Sequence, residues 1–179
     1  MQKKVLIISS SPRKGGNSEM LAASFAKGAQ EAGHQVETVY LREMQIGFCK
    51  GYFACYRLGH CVIQDDVAEI ITKMHDADVL VFATPVYFYN VCGQLKTLFD
   101  RSNPLYGGDY AFTKAYLLVT AAENEPETVA GTEKTAQGWV DCFPRCALAA
   151  TVFAGGVNVA GEIAGHPALE KAYQVGREV

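Results

Sequence analysis

Residues Val5 to Ser18 read VLIISSSPRKGGNS, an apolar run followed at once by a loop dense in hydroxyls, glycine and cationic groups. A buried strand that ends in such a loop, with helical periodicity beyond it, is the opening of a fold that alternates strands and helices. Working outward, five runs have strand character: about Val5–Ser9, Val36–Leu41, Val79–Thr84, Ala115–Thr120 and Ala149–Phe153. The third, in VLVFATP, is apolar on both alternating sets of positions and predicts a central strand covered on both faces. Between the runs lie helical stripes: Leu21, Phe25 and Ala29; Val67, Ile70, Ile71 and Met74; Val91, Leu95, Leu98 and Phe99. Asn17 or Ser18 is expected to cap the first helix and Gly33 to end it, with Asp65 or Asp66 capping the second. A fourth helix is expected within Thr132–Cys146, and Pro167 suits the first turn of a last one in HPALEKAYQVGREV. The expectation is one doubly wound α/β domain over residues 1–179, three layers α/β/α around a five-stranded parallel sheet in the order 2-1-3-4-5.

Composition removes several classes of function. With 49% apolar and 20% charged residues and a net charge of -3, the chain can bury a core but has no basic surface for nucleic acid or an anionic membrane. Lys3 and Lys4 precede only four apolar residues, too few for a signal sequence, and no stretch is long enough to span a bilayer. The expected location is the cytoplasm, where the six cysteines would be thiols or ligands and not disulfides. None of the four histidines has a Ser-acid or Cys-acid arrangement that suggests hydrolysis.

In a doubly wound sheet, ligands sit outside the carboxyl ends of the strands where the strand order reverses, here between strands one and three. Two loops meet there. Ser9–Ser18 offers hydroxyls, backbone N–H groups at a helix start and the Arg13 guanidinium, a set that suits a terminal phosphate. It lacks the G-x-x-x-x-G-K-[ST] and G-x-G-x-x-G patterns of triphosphate and dinucleotide sites. Thr84–Asn90, TPVYFYN, places three consecutive aromatics on a backbone stiffened by Pro85, a platform for a flat ring such as an isoalloxazine. Each loop has a plainer reading: a hydroxyl-rich turn can simply cap a helix, and aromatics can cover a sheet end or a subunit interface.

The combination of SSSPRKGGNS, TPVYFYNVCGQLKTLFDR and HPALEKAYQVGREV resembles the NAD(P)H-dependent FMN reductase family of flavodoxin-like proteins, and more narrowly its iron-sulfur flavoprotein branch. The likeness runs over nearly the whole chain. It implies a flavodoxin-like fold, tightly bound FMN, and a homodimer or homotetramer with the flavin near a subunit boundary. Ser11, Arg13, Asn17 and Ser18 match the family's phosphate-binding loop; Pro85, Val86, Tyr87, Phe88 and Tyr89 match its isoalloxazine-binding turn. The loop TAAENE after the fourth strand occupies the place where the family closes over the flavin, a match of position only.

The branch carries a [4Fe-4S] cluster on a C-x-x-C-x-x-C-x5-C run. CKGYFACYRLGHC supplies Cys49, Cys55 and Cys61, but Tyr52 stands where the second cysteine would be. The expectation is that the loop persists as structure without the cluster, so no metal is assigned. A differently ligated cluster, or zinc on these three thiols and His60, uses suitable ligand types at unsuitable spacing. Cys92, Cys142 and Cys146 read as small buried hydrophobes.

These readings imply an oxidoreductase that passes hydride by a ping-pong route from transiently bound NAD(P)H, through flavin N5, to a small-molecule acceptor such as a quinone or a flavin. No side chain is then obligatory as acid, base or nucleophile. The alternative is an FMN-containing electron-transfer protein fed by a ferredoxin-like partner. A domain binding some other nucleotide is a third reading.

Overall fold

The apolar runs form the strands that their composition predicts. The computed structural model describes residues 1–179, with β1 at Lys4–Ser9, β2 at Gln35–Tyr40, β3 at Val79–Tyr87, β4 at Asn90–Val91, β5 at Lys114–Thr120 and β6 at Ala147–Ala154. The helices are α1 (Asn17–Glu31), α2 (Ala54–Leu58), α3 (Val67–Asp76), α4 (Gly93–Arg101), α5 (Glu127–Val140) and α6 (Pro167–Arg177). Five strands run parallel in the spatial order β2-β1-β3-β5-β6, which is the expected 2-1-3-4-5 once the short β4 is set aside. That sixth strand was not foreseen; it pairs antiparallel with the end of β3, Tyr87 opposite Asn90.

Alternation along the strands sorts the core into two halves. Leu6, Ile8, Leu80, Phe82, Leu117 and Val119 face α3, α4 and α5, while Val5, Ile7, Val81, Ala83, Tyr116 and Leu118 face α1 and α6. The three-layer arrangement is that of flavodoxin-like proteins. The first half is packed by aromatic rings, with Phe82 5.0 Å from Phe99 and 5.1 Å from Trp139 between centroids. The indole N–H of Trp139 donates to Ser102 Oγ at 2.8 Å, so the ring is buried without an orphaned donor. No helix is long and apolar enough to cross a membrane.

Helix ends are where the residues depart from expectation. The N-cap of α1 is Gly16, and neither Asn17 nor Ser18 caps it by side chain, because the Asn17 amide is committed elsewhere. At α3 the Asp65 carboxylate accepts the Val67 N–H at 3.2 Å, while Asp66 accepts that of Gln45 at 2.6 Å. The fourth expected helix, α5, starts at Glu127, five residues before Thr132, and ends before Pro144. Pro167 opens α6 as its fixed φ favours, with the His166 ring accepting the Ala168 N–H.

Candidate functional site

Because β1 and β3 are neighbours and parallel, their carboxyl ends bring the two loops together. One cleft is lined by Ser11, Arg13, Gly16, Asn17, Ser18, Pro85, Val86 and Tyr87, joined by Thr120–Ala122 and by Val157 and Asn158. Seven of the nine residues singled out in the sequence therefore share a cavity. The other two, Phe88 and Tyr89, line the adjoining one together with Val86.

The loop after β1 is folded by its own hydroxyls. Ser11 Oγ accepts the Arg13 N–H at 3.1 Å, and Ser10 Oγ donates to the Ala83 carbonyl on β3 at 2.8 Å. A Cβ on Gly16 would sit 3.0 Å from Ser11 Oγ and 3.1 Å from the Arg13 carbonyl, so only glycine leaves this concavity open without a shift. The Asn17 and Ser18 N–H groups lie in the first turn of α1, where no preceding carbonyl faces them. Ser18 is almost fully buried and lines the same concavity. Unspent N–H groups, a hydroxyl and the positive end of a fifteen-residue helix make a set that can take an oxyanion.

A third wall was missed in the sequence. The segment Gly155–Ala164 is stapled to the loop by Asn17, whose Nδ2 donates to the Val159 carbonyl at 2.9 Å and whose Oδ1 accepts N–H from Gly161 at 3.0 Å and Ile163 at 3.3 Å. Arg13 Nη1 donates to the Asn158 carbonyl at 2.7 Å. Glu162 accepts the N–H groups of Asn158 and Val159, and these bonds hold its carboxyl below the usual range against a small opposing effect of burial. The contacts span more than 140 residues of chain, so no local pattern announces them.

The aromatic wall is a two-residue hairpin. Phe88 and Tyr89 sit at φ of 49° and 57°, the left-handed region that a tight β-hairpin turn demands and that Asn-Gly would ordinarily fill. Bulky residues there carry strain, which clusters at ligand sites. The turn is braced from α5: a Cβ on Gly131 would lie 2.1 Å from the Tyr89 carbonyl oxygen, and Thr135 Oγ1 donates to Asn90 Oδ1 at 2.7 Å. Beneath both loops lies Cys92, fully buried, its thiol donating to Ser10 Oγ at 3.2 Å and its N–H to Thr84 Oγ1 at 3.2 Å. It is a polar tie between the two walls as well as a core residue, whereas Cys142 is exposed and Cys146 half-buried, both just after α5, so the expected burial holds for Cys92 alone.

The cysteine loop is a separate place. Cys49, Cys55 and Cys61 line a cavity of about 390 Å³ with Phe48, Tyr52 and Phe53 and with Thr97 and Asp100 of α4. The buried Arg101 side chain anchors this loop, donating to the Gly47 carbonyl at 2.6 Å, to both Asp65 carboxylate oxygens at 2.7 and 2.9 Å, and to Cys61 Sγ at 3.4 Å. Burial pushes the Asp65 carboxyl upward, but hydrogen bonds from Arg101, Gly47 and Val67 outweigh it and leave it below the usual value. Three thiols with a tyrosine in the fourth place are one ligand short of an ordinary [4Fe-4S] shell. No three His, Cys, Asp or Glu side chains converge on a metal-sized point. The donor set does not fit the cluster.

The family model of NADPH-dependent FMN reductases matches residues 3–164, and the chain belongs to that family of flavin oxidoreductases. Among similar proteins, an iron-sulfur flavoprotein of Archaeoglobus fulgidus is 31% identical over 98% of this chain and 78% of its own length. One from Methanosarcina thermophila is 39% identical over 75% of this chain and 69% of its own. Among solved structures, an NAD(P)H:quinone oxidoreductase from Methanothermobacter marburgensis superposes with a TM-score of 0.78 at 22% identity, covering 99% of this chain and 96% of that one. An azoreductase from Bacillus anthracis str. Sterne gives 0.75 at 18% identity over 99% and 100% of the two chains. These two likenesses speak to the fold.

Proposed function

We propose that residues 1–179 act as one FMN-binding domain that oxidises NAD(P)H and reduces a small aromatic acceptor such as a quinone, a flavin or an azo compound. The observation that carries this reading is the meeting of an anion-binding helix start and an aromatic turn in one cleft at the switch point of the sheet. The residues fit FMN in kind. Ser11, Ser18, the N–H groups at the start of α1 and Arg13 would hold the phosphate, with Arg13 giving up its bond to Asn158 or keeping it through another of its donors. Asn17 would act through the Gly155–Ala164 segment, since its amide is already committed. Pro85, Val86 and Tyr87 would border the ring, and Phe88 and Tyr89 would shape the side from which substrates enter.

When bound, FMN would supply the hydride acceptor and donor at N5, and one open side used in turn by NAD(P)H and the acceptor would make the two half-reactions a ping-pong sequence. The protein's own part is placement: it fixes the phosphate, holds the aromatic turn against α5, and leaves one side open. The exposed apolar side chains of Phe48, Tyr52, Phe53 and Phe88 would be covered in a homodimer or homotetramer. Six free cysteines suit a reducing compartment such as the cytoplasm.

Anaerobic stopped-flow mixing with NADH and then NADPH tests the reading. Flavin bleaching within seconds by at least one of them, followed by reoxidation on adding a quinone, is expected. A flavin left unchanged by both overturns it and favours the protein-fed electron carrier.

A further inference from the structure

Arg101 is the largest side chain that the fold buries completely, yet one of its donors has no acceptor. Nη1 and Nη2 grip the two Asp65 oxygens at 2.7 and 2.9 Å, which fills the end of the guanidinium. The second Nη1 proton goes to the Gly47 carbonyl at 2.6 Å, and the second Nη2 proton goes to Cys61 Sγ at 3.4 Å. Only Nε–H is unspent. In the rigid guanidinium fork, Nε–H and that second Nη2 proton lie side by side on one edge, an arrangement that suits an oxyanion. The edge faces Cys61, where it meets sulfur, a weak acceptor, and leaves a buried donor unsatisfied at a cost in free energy.

Cys61 is half-buried and borders the cavity of about 390 Å³, so a small molecule can reach its sulfur from there. The other thiols lack this setting. Cys92 is fully buried, and burial pushes the Cys146 thiol up to about 11. Cys49 and Cys142 are exposed, but their sulfurs meet backbone only, the Gly51 N–H and the Gly138 carbonyl, each at 3.4 Å. Cys61 alone has its sulfur on a charged side chain. We propose that Cys61 is a modification site for hydroperoxides, and that the free edge of Arg101 holds the oxygen that its sulfur gains. With hydrogen peroxide, the Cys61 thiolate attacks one peroxide oxygen. An S–O bond forms as the O–O bond breaks, hydroxide leaves and takes up a proton as water, and the sulfur gives up two electrons to become a sulfenic acid. Once ionised, that oxygen is the strong acceptor that the Nε and Nη2 edge otherwise lacks. The inference is independent of what the cleft at the switch point of the sheet binds.

The experiment uses the full chain as purified, with its thiols reduced and the reductant removed. Hydrogen peroxide is added with dimedone present throughout, which traps a sulfenic acid before a neighbouring thiol reaches it. Mass spectrometry of the digest reads the label at each of the six cysteines against time. Cys61 is expected to be labelled first, about tenfold or more ahead of the exposed Cys49 and Cys142, the lead that a charge-assisted contact to the new oxygen would give. Arg101→Lys keeps the charge without the fork and should lose most of that lead. Label arriving first at any other cysteine, or a Cys61 lead that Arg101→Lys leaves unaltered, overturns the inference. The order of labelling in the wild type needs no variant, so it decides by itself should Arg101→Lys fail to fold.

Discussion

The loop after β1 and the loop from Gln45 to Asp65 are both rich in polar and cationic neighbours, yet they use them in opposite directions. The first leaves donors unspent at the start of α1 and keeps a concavity open with Gly16. The second turns its strongest donor inward: Arg101, with its side chain fully buried, spends itself on Gly47, Asp65 and Cys61. One loop leaves its donors free, and the other has its two ends tied together by the chain itself. The difference explains how three cysteines persist beside an aromatic cavity without a fourth ligand, since Arg101 and Asp65 already hold the two ends of their loop.

The sharpest way to break this contrast is Arg101→Met. It leaves Asp65 without its partner in a poorly solvated place, and removing one partner of such a pair costs about 3–5 kcal/mol. Urea denaturation should show that loss, while FMN affinity in the still-folded fraction changes little; the reverse pattern would mean that the cysteine loop supports the cleft. The same pair sets an acid limit. Because the Asp65 carboxyl lies below its ordinary value in the folded state, its contribution is complete above about pH 4 and is lost as pH falls through the lowered folded value. Asp65→Asn should therefore flatten stability against pH in that acid range, which denaturation at several pH values would show.

On the open side, Arg13→Ala should weaken FMN binding by about 1.5–3 kcal/mol, the worth of a charge-assisted contact, as read by flavin titration. Unchanged affinity would remove Arg13 from the phosphate site. Cys92 permits a finer cut, because valine keeps its volume and serine keeps its donor. If the tie to Ser10 positions the two walls, Cys92→Ser should hold FMN better than Cys92→Val, although Val is the better core residue by thermal melting. The smallest effect belongs to Cys55→Ser, which should leave flavin reduction by NAD(P)H nearly intact. A large rate loss in a folded protein would point to chemistry in the cysteine cavity.

Legibility in the sequence followed the range of the interactions. The parallel strands and their order could be read because each is a short apolar run that must be covered on both faces, and the helical stripes between them dictate the crossovers. Short-range signals were less dependable where a long-range partner competed. Asn17 is a cap by residue type, but its amide is worth more bridging Val159, Gly161 and Ile163, and Gly16 takes the cap. Phe88 and Tyr89 could be seen as a platform but not as a hairpin turn, since their left-handed backbone runs against their own propensity and is imposed by the pairing of Tyr87 with Asn90. Arg101 reads as the last turn of an ordinary helix; only the fold brings Asp65 and Cys61 to it.

The most direct test of the central claim is the visible absorption spectrum of protein purified without oxygen, taken together with its FMN and iron content. The account predicts flavin bands, one FMN per chain and negligible iron. Protein without flavin would contradict the assignment of the cleft, and a broad absorption with several irons per chain would contradict the reading of the cysteine loop as held by Arg101 and Asp65 without a cluster.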